Sequence, residues 1–215
     1  MSKPLGILGG TFDPIHYGHL RPAQEVLRAL DLAEVRVVPA ANPPHRRAPL
    51  ATAVQRLRMA ELAVGEFPGL RVDDREIKRG GPSYTVLTLA SLREELGDRP
   101  LCLLLGLDAF EGLESWHQWQ RLPELAHIVV MTRPGWSLPA AEDLPTWARG
   151  RLAPAAGDLA LASAGKLYFQ TVTPQDISAT RIREAIARSE PVDGLLPPAV
   201  LGYLRANRIY LNREN

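Results

Sequence analysis

One run of residues constrains the fold more than any other. Residues 100–106 read PLCLLLG, and every residue between the proline and the glycine is apolar. A strand with one face in water shows polar residues at alternate positions, whereas an uninterrupted apolar run of this length is typical of a parallel strand covered on both faces. The run therefore predicts the centre of a parallel sheet with helices on both sides.

The rest of the chain alternates between strand and helix patterns. Short apolar runs predict further strands over 4–9, 34–40, 127–132 and 166–172, and the segment RVDDREI over 71–77 is interpreted as one more strand. Apolar residues at spacings of three and four predict helices over 18–30, 53–65, 83–97, 179–188 and 197–206. Such alternation is typical of a doubly wound α/β sheet. Residues 134–165, rich in Pro, Gly, Ala and Ser, break the pattern and are interpreted as a surface excursion.

The composition of the chain excludes several classes of protein and of binding partner. A net charge of +1 gives no basic surface for bulk nucleic-acid binding, so we expect no nucleic-acid partner. Cys102 is the only cysteine, which excludes a disulfide framework and is compatible with a reducing compartment. No apolar run approaches the ~18 residues of a membrane span, so we expect no membrane partner and a cytoplasmic location. Any anion binding must therefore be local.

Ligands of open α/β sheets bind at the carboxyl ends of the strands, which directs attention to the loop GGTFDPIHYGH after the first strand. This loop matches neither the dinucleotide nor the P-loop glycine pattern. His16 and His19 lack the HExxH spacing and the cysteine cluster typical of zinc sites. Three interpretations of the two histidines remain. They act as a general acid/base pair, they bind an anion, or one is a turn residue while the other covers the end of the helix. We interpret Asp13 as structural, because it can brace the turn before Pro14.

Two predicted helices begin with basic residues where acidic residues are expected. Unpaired N–H groups make a helix N-terminus positive and favour Asp or Glu there. The helix after HYGH instead begins with His19 and Arg21, and the helix in ISATRIR begins with Arg181 and Arg183. Helix N-termini and cations that converge are typical of polyphosphate binding, whereas a solvated basic helix face is the alternative. The pattern predicts an anion between the two helix starts.

Polar residues follow two further predicted strands. The loop NPPHRR presents Asn42, His45 and Arg46 from a backbone stiffened by two prolines, and the alternative is an ordinary exposed turn. Asp108 comes just after the apolar run and can accept hydrogen bonds from ribose hydroxyls or cap the next helix. Both loops are therefore candidates for nucleotide binding.

Aromatic residues indicate a second ligand. Tyr84 and Thr85 lie in GGPSYT, which has the form of a loop that starts a helix with its N–H groups facing outward. Trp116 and Trp119 are three residues apart, and each of them can pack in the core or stack on a planar ring.

These segments together are similar to those of a known family. GGTFDPIHYGH with ISATRIR resembles the paired (H/T)xGH and ISSTxxR signature of the nucleotidyltransferase α/β-phosphodiesterase superfamily. NPPHR, GPSYT and LLGLDAFEGLESWHQW are similar to the bacterial nicotinate-nucleotide adenylyltransferase branch, and the resemblance extends along almost the whole chain. Two residues depart from the pattern. Ala179 stands where serine is frequent, and Arg46 stands where lysine is frequent, although arginine can bind phosphate bidentately.

The resemblance implies transfer of AMP from ATP to nicotinate mononucleotide in NAD biosynthesis, with release of pyrophosphate. The mononucleotide phosphate has a second pKa near ~6, so it is largely dianionic at neutral pH and needs little help from a base. Direct in-line attack without a covalent intermediate then requires only positioning and charge neutralisation. Mg²⁺ would be carried by the ATP phosphates, with no metal site on the protein. ATP and nicotinate mononucleotide are thus the expected partners.

The resemblance also implies a role for each matching residue. His16, His19 and Arg183 would be catalytic: His19 would contact the α-phosphate, His16 would align the phosphates, and Arg183 would hold the departing pyrophosphate. ATP would be bound by Gly9, Gly10, Thr11, Gly106, Asp108, Ile177, Ser178, Thr180 and Arg183. The pyridine nucleotide would be bound by Asn42, His45, Arg46, Tyr84, Thr85 and Trp116. A backbone N–H near Thr85 would donate to the nicotinate carboxylate and thereby favour the acid over the amide.

Pattern and resemblance together predict one nucleotidyltransferase domain over 1–215. Its fold class is α/β, a Rossmann-like doubly wound parallel sheet with helices on both faces and a helical C-terminal extension over 175–215. Nicotinamide mononucleotide or another acceptor of the superfamily is the alternative substrate. A regulatory protein that binds a nucleotide without turnover is the alternative of a different class.

Overall fold

The computed structural model describes residues 2–44, 48–140 and 142–211. Within these ranges the strands are β1 (Leu5–Gly10), β2 (Glu34–Pro39), β3 (Leu70–Val72), β4 (Leu101–Gly106), β5 (His127–Thr132) and β6 (Leu167–Thr171). They form one sheet in the order β3-β2-β1-β4-β5-β6, and all neighbouring pairs are parallel. The order reverses between β1 and β4, which is the position where sheets of this type bind ligands.

Helices cover both faces of the sheet. They are α1 (Tyr17–Ala29), α2 (Ala53–Val64), α3 (Arg75–Arg79), α4 (Thr85–Leu96), α5 (Leu107–Glu111), α6 (Leu122–Leu125), α7 (Ala179–Ala187) and α8 (Pro198–Ala206). One apolar cluster joins α1, α2, α7 and α8 to one face, and a second joins α4, α5 and α6 to the other. Among the described residues, no helix has the length and apolar character needed to cross a membrane.

Strand β4 has the environment that its sequence predicts. Leu101, Leu103 and Leu105 pack in one apolar cluster, whereas Cys102 and Leu104 pack in the other. The strand is therefore covered on both faces, which explains why no polar residue interrupts it. Burial raises the pKa of the Cys102 thiol to about 12, so this cysteine is a packing residue rather than a nucleophile.

The predicted strand over 71–77 is wrong in its second half. The strand ends at Val72, and α3 begins at Arg75. The carboxylate of Asp73 accepts a hydrogen bond from the backbone N–H of Arg75 at 3.1 Å. Aspartates favour helix starts because they satisfy such N–H groups, and the Asp73–Asp74 pair was the available signal.

Residues 134–140 and 142–165 are irregular but pack on the core. Short 3₁₀ turns occur at Thr146–Ala148 and Ala156–Ala160. Leu144, Ala148 and Leu159 are buried. The ring of Trp147 lies 5.9 Å from those of Phe110 and Trp119, so the segment covers the aromatic residues around α5.

Candidate active site

A cavity of about 800 Å³ lies at the carboxyl ends of the strands, at the switch point of the sheet. Its lining comes from the last residues of β1 and β4, from the loop after β2, and from the residues that begin α1, α4 and α7. The topology thus brings together segments that are far apart in sequence. Every one of these segments contains a residue that the sequence identifies as a candidate for nucleotide binding.

Glycines leave the backbone after β1 accessible. A Cβ atom on Gly9 would meet no atom within 4 Å, whereas one on Gly10 would lie 2.6 Å from the ring of Phe12. The first glycine therefore lets a ligand approach the main chain, and the second accommodates a neighbouring ring. Gly9, Gly10 and Thr11 all line the cavity.

His19 is held in a defined orientation at the start of α1. Its Nδ1 accepts a hydrogen bond from the backbone N–H of His16 at 3.3 Å. Its ring stacks on that of His16 with centroids 3.8 Å apart and meets the ring of Phe12 edge-on at 5.1 Å. Because Nδ1 is the acceptor, neutral His19 carries its proton on Nε2. His19 lines the cavity, so a donor on its ring belongs to the site.

His16 differs from His19 in burial and charge. It is only 4% exposed, and burial lowers its pKa to about 4, so its ring is neutral at neutral pH. Within the described part of the chain, no group forms a hydrogen bond with its Nδ1. His16 therefore contributes no positive charge to this site.

The second motif reaches the same cavity through α7. Thr180 and Arg183 line it, whereas Ile177 and Ser178 directly precede α7. The Arg183 guanidinium donates to the backbone carbonyl of Asp13 at 2.7 Å and to the hydroxyl of Thr180 at 3.2 Å. The structure thus connects the two halves of the signature directly.

Gly18 allows α1 and α7 to begin side by side. A Cβ atom there would lie 2.9 Å from the ring of His16 and 3.3 Å from the carbonyl oxygen of Ile177. Any side chain would push one helix start away from the other.

The lack of acidic residues in the first turn does not by itself mark the site. It holds for α1 and α7, but it holds equally for α2, α4 and α8. What distinguishes α1, α4 and α7 is that residues at their starts line the cavity. Position, rather than the composition of the first turn, therefore identifies the helix ends that can face an anion.

Asp13 braces the loop, as its sequence context predicts. Its buried carboxylate accepts from the backbone N–H groups of Leu50 at 2.9 Å and Ala51 at 3.0 Å, and from the hydroxyl of Tyr210 at 2.6 Å. Burial and this carboxylate raise the pKa of Tyr210. The contact from Tyr210 has no counterpart in any local sequence pattern.

The aromatic side of the cavity is formed by the start of α4 and the segment after α5. Tyr84, Thr85 and Trp116 line it, and the ring of Tyr84 stacks on that of His117 at 4.1 Å. Trp119 instead packs beside Trp147, so the two tryptophans have different environments. His117, which the sequence analysis does not single out, also lines this side.

The loop after β2 is tied to the start of α4. The backbone N–H of Ser83 donates to the carbonyl of Asn42 at 2.9 Å, and the N–H of Asn42 donates to the Ser83 hydroxyl at 3.0 Å. The Asn42 side chain is exposed. His45 and Arg46 lie outside the described residues.

Two candidates for ribose binding lie at the end of β4. Gly106 lines the cavity, and Asp108 is exposed in the first turn of α5, next to Ala109, which also lines it.

No metal centre is formed by the residues that the structure describes. Over these ranges, His, Cys, Asp and Glu side chains nowhere form a group of three or more that could hold a metal ion. Two buried carboxylates line the cavity among the described residues: Asp13 is already engaged by three donors, and Glu76 accepts a hydrogen bond from the Thr88 hydroxyl.

The fold and the paired motifs define a nucleotidyltransferase-like class. Residues 7–185 match the family model described as cytidylyltransferase-like. A protein of Aeromonas hydrophila named "Probable nicotinate-nucleotide adenylyltransferase" is 47% identical over 210 residues, covering 98% of both chains. A protein of the same name from Halorhodospira halophila is 51% identical over 203 residues, covering 93% of both. The chain belongs to the nicotinate-nucleotide adenylyltransferase family.

Solved structures confirm the α/β fold. The nicotinic acid mononucleotide adenylyltransferase of Plasmodium falciparum, solved in complex with NaAD, superimposes with a TM-score of 0.71 at 16% identity, covering 97% of both chains. The same protein in complex with APC gives a TM-score of 0.70 at 17% identity, again covering 97% of both. At this identity the likeness establishes the fold alone.

Proposed function

We propose that this protein transfers the adenylyl group of ATP to nicotinate mononucleotide, giving nicotinate adenine dinucleotide and pyrophosphate. The observation that carries the proposal is the convergence of His19 and Arg183 on one cavity whose other side carries Tyr84 and Trp116. A phosphate-binding end and an aromatic end in one cavity suit two nucleotides that react with each other. Relatives named for this activity match over nearly the whole chain.

The ATP phosphates bind between the starts of α1 and α7. Backbone N–H groups of Gly9, Gly10 and Thr11 and the hydroxyls of Ser178 and Thr180 are the proposed neutral donors, with Ile177 supporting the loop. Arg183 supplies the positive charge. A guanidinium has five N–H donors, so Arg183 can keep its bond to the Asp13 carbonyl while it holds the departing pyrophosphate. Gly106 and Asp108 bind the adenosine ribose.

The pyridine nucleotide binds at the aromatic end. Tyr84 and Trp116 pack against the pyridine ring, and the first N–H groups of α4, at Thr85, donate to the nicotinate carboxylate. An amide would present its own N–H donors there, which disfavours nicotinamide mononucleotide. The loop of Asn42, His45 and Arg46 remains a predicted contact of the pyridine nucleotide.

The transfer needs no nucleophile or base from the protein. A phosphate oxygen of the mononucleotide forms a bond to the α-phosphorus while the bond from that phosphorus to the α,β-bridging oxygen breaks, and pyrophosphate leaves with the electron pair. His19 donates its Nε2 proton in a hydrogen bond to a non-bridging α-phosphate oxygen, where negative charge must be stabilised. The proposed part of His16 in catalysis is indirect, because its neutral ring supports that of His19.

A divalent metal ion, for which we propose Mg²⁺, fits this site when it is coordinated by the ATP phosphates. Its chemistry when bound is to neutralise part of the triphosphate charge. Of the carboxylates among the described lining residues, Asp13 is already engaged by three donors and Glu76 by the Thr88 hydroxyl, so the phosphates themselves and water are the proposed ligands.

A panel of acceptors tests the proposal. The protein is incubated with ATP, Mg²⁺ and either nicotinate mononucleotide, nicotinamide mononucleotide or a phosphopantetheine acceptor, while pyrophosphate release and product mass are followed. We expect the fastest turnover with nicotinate mononucleotide and a product of the mass of nicotinate adenine dinucleotide. Nucleotide binding without turnover of either pyridine mononucleotide would contradict the proposal and favour the regulatory alternative.

A further inference from the structure

Arg56 is a buried cation whose role lies outside the signature motifs. It belongs to α2 and is 1% exposed. Its guanidinium donates to four backbone carbonyls, namely those of Thr11 at 2.7 Å, Ala40 at 2.5 Å, Ala41 at 3.0 Å and Ala51 at 3.3 Å. One side chain therefore joins three separate segments of the chain.

Two of these segments lie next to each other in the lining of the active-site cavity, where the backbone N–H of Ala40 donates to the carbonyl of Gly10 at 2.8 Å. Thr11 follows β1, in the loop proposed to hold the ATP phosphates. Ala40 and Ala41 follow β2 and lead directly to Asn42, whose backbone is bonded to the start of α4 on the pyridine side. Thr11 and Ala40 both line the cavity. We call the loop after β1 that contains Thr11 the ATP loop, and the loop after β2 that contains Ala40, Ala41 and Asn42 the acceptor loop. The guanidinium of Arg56 supports both loops.

An arginine at this position satisfies four backbone carbonyls with one side chain. Burial lowers the pKa of Arg56, and the carboxylates of Asp13 and Glu76 offset this effect from a distance. A well-packed apolar side chain can replace a buried ion pair without loss of stability, but here it would leave these carbonyls without their donor. What arginine adds over other donors is the rigid fork of the guanidinium, which fixes several carbonyls in one plane at set distances.

We propose that Arg56 is a positioning residue that sets the distance between the ATP loop and the acceptor loop. It acts through the carbonyls of Thr11, Ala40 and Ala41, and so aligns the mononucleotide phosphate with the α-phosphorus of ATP. The inference rests on the proposed function, since that reaction joins the two loops' ligands. A misplacement of about 1 Å between reacting groups can cost on the order of a hundredfold in rate.

The chain offers a matched control in Arg93. Its guanidinium also donates to four backbone carbonyls, those of Gly97, Arg99, Leu125 and Ser163. All four residues lie in the segments that lead into β4, β5 or β6, at the amino ends of the strands, and none of them lines the cavity. Arg93 therefore shares the type of contact with Arg56 but not its place.

The test compares Arg56→Lys with Arg93→Lys. Lysine keeps the charge but loses the planar fork, so both variants should unfold at a lower temperature than the unsubstituted protein. At saturating ATP and nicotinate mononucleotide, we expect Arg56→Lys to lower kcat per folded molecule by about ten- to a hundredfold, with each KM changed less than about threefold. Arg93→Lys should keep kcat within about twofold of the unsubstituted value.

Each other outcome overturns the inference. Equal kcat values for the two variants, or a change confined to one KM, would show that Arg56 does not align two substrates. Should Arg56→Lys not fold, Arg56→Gln is measured in its place, and failure of both to fold while Arg93→Lys folds would assign Arg56 a structural role only. Absence of turnover in the unsubstituted protein would refute the proposed function and this inference with it. Normal turnover in that protein, with equal kcat values for the two variants, would refute the inference alone.

Discussion

His19 is oriented before any substrate binds, because its Nδ1 is held by the backbone of His16 and its ring lies between those of His16 and Phe12. In the proposed reaction its Nε2 proton is donated to the α-phosphate from a ring that is already oriented. We expect His19→Ala to lower kcat by about a hundredfold or more and to leave the KM for nicotinate mononucleotide almost unchanged. Steady-state kinetics with both substrates measure this effect.

His117→Ala is the comparison for that experiment. His117 stacks on Tyr84 at the pyridine end, so its loss should raise the KM for the mononucleotide more than it lowers kcat. A raised KM with unchanged kcat in His19→Ala would assign His19 to binding alone.

The burial of His16 makes the stability of the protein depend on pH. Its pKa is about 4 in the folded protein against 6.5 when exposed, so below pH 6.5 the unfolded chain takes up the proton first. The contribution of neutral His16 to the free energy of unfolding is fully present above pH 6.5 and falls as the pH drops towards 4. It amounts to about 3 kcal/mol in total. We expect His16→Asn to flatten this part of the stability curve, measured by urea unfolding between pH 4 and 7. Parallel curves for the two proteins would contradict the neutral, buried state of His16.

At the scale of elements, the contact between the starts of α1 and α7 depends on Gly18. The Cβ atom of Gly18→Ala would lie 2.9 Å from the His16 ring and 3.3 Å from the Ile177 carbonyl. We expect the helix starts to separate and kcat to fall about tenfold or more. Gly202→Ala is the control, because Gly202 lies inside α8 and a Cβ atom there meets nothing within 4 Å. That control should keep its activity and gain slightly in melting temperature, by the helix propensity of alanine; equal activity in the two variants would refute the proposed packing role.

Elements with a distinctive pattern could be predicted from the sequence. β4 is apolar throughout because both of its faces are covered, and the amphipathic spacing of α1 follows from its single buried face. The helix α3 could not be predicted so readily, since five residues are too few for a helical period to show. Its only signal is the pair of aspartates before it.

At the scale of the whole molecule, the candidate site is predictable where a residue belongs to a recognisable motif. His19, Thr180 and Arg183 come from two motifs that the topology brings to one cavity. Arg56 and Tyr210 belong to no recognisable motif, because they bind distant segments of the chain. For Arg56 there was a signal, since this charged residue shares helical spacing with the buried Met59, Ala60 and Ala63.

The hydroxyl of Tyr210 ties the end of the described chain to the first motif through Asp13. We expect Tyr210→Phe to lower the free energy of unfolding by about 1–3 kcal/mol, because a buried carboxylate loses a donor. Urea unfolding at pH 7 measures the change, with Tyr203→Phe in α8 as the control. An equal effect of the two substitutions would contradict a specific role for the bond to Asp13.

Direct transfer between two nucleotides in one cavity is tested most directly by the stereochemistry at the α-phosphorus. One diastereomer of ATP with sulfur on that phosphorus is converted with nicotinate mononucleotide, and the configuration of the dinucleotide is determined. A single in-line attack predicts inversion. Retention would require two displacements through an adenylylated protein group and would contradict a site that works by positioning and charge neutralisation.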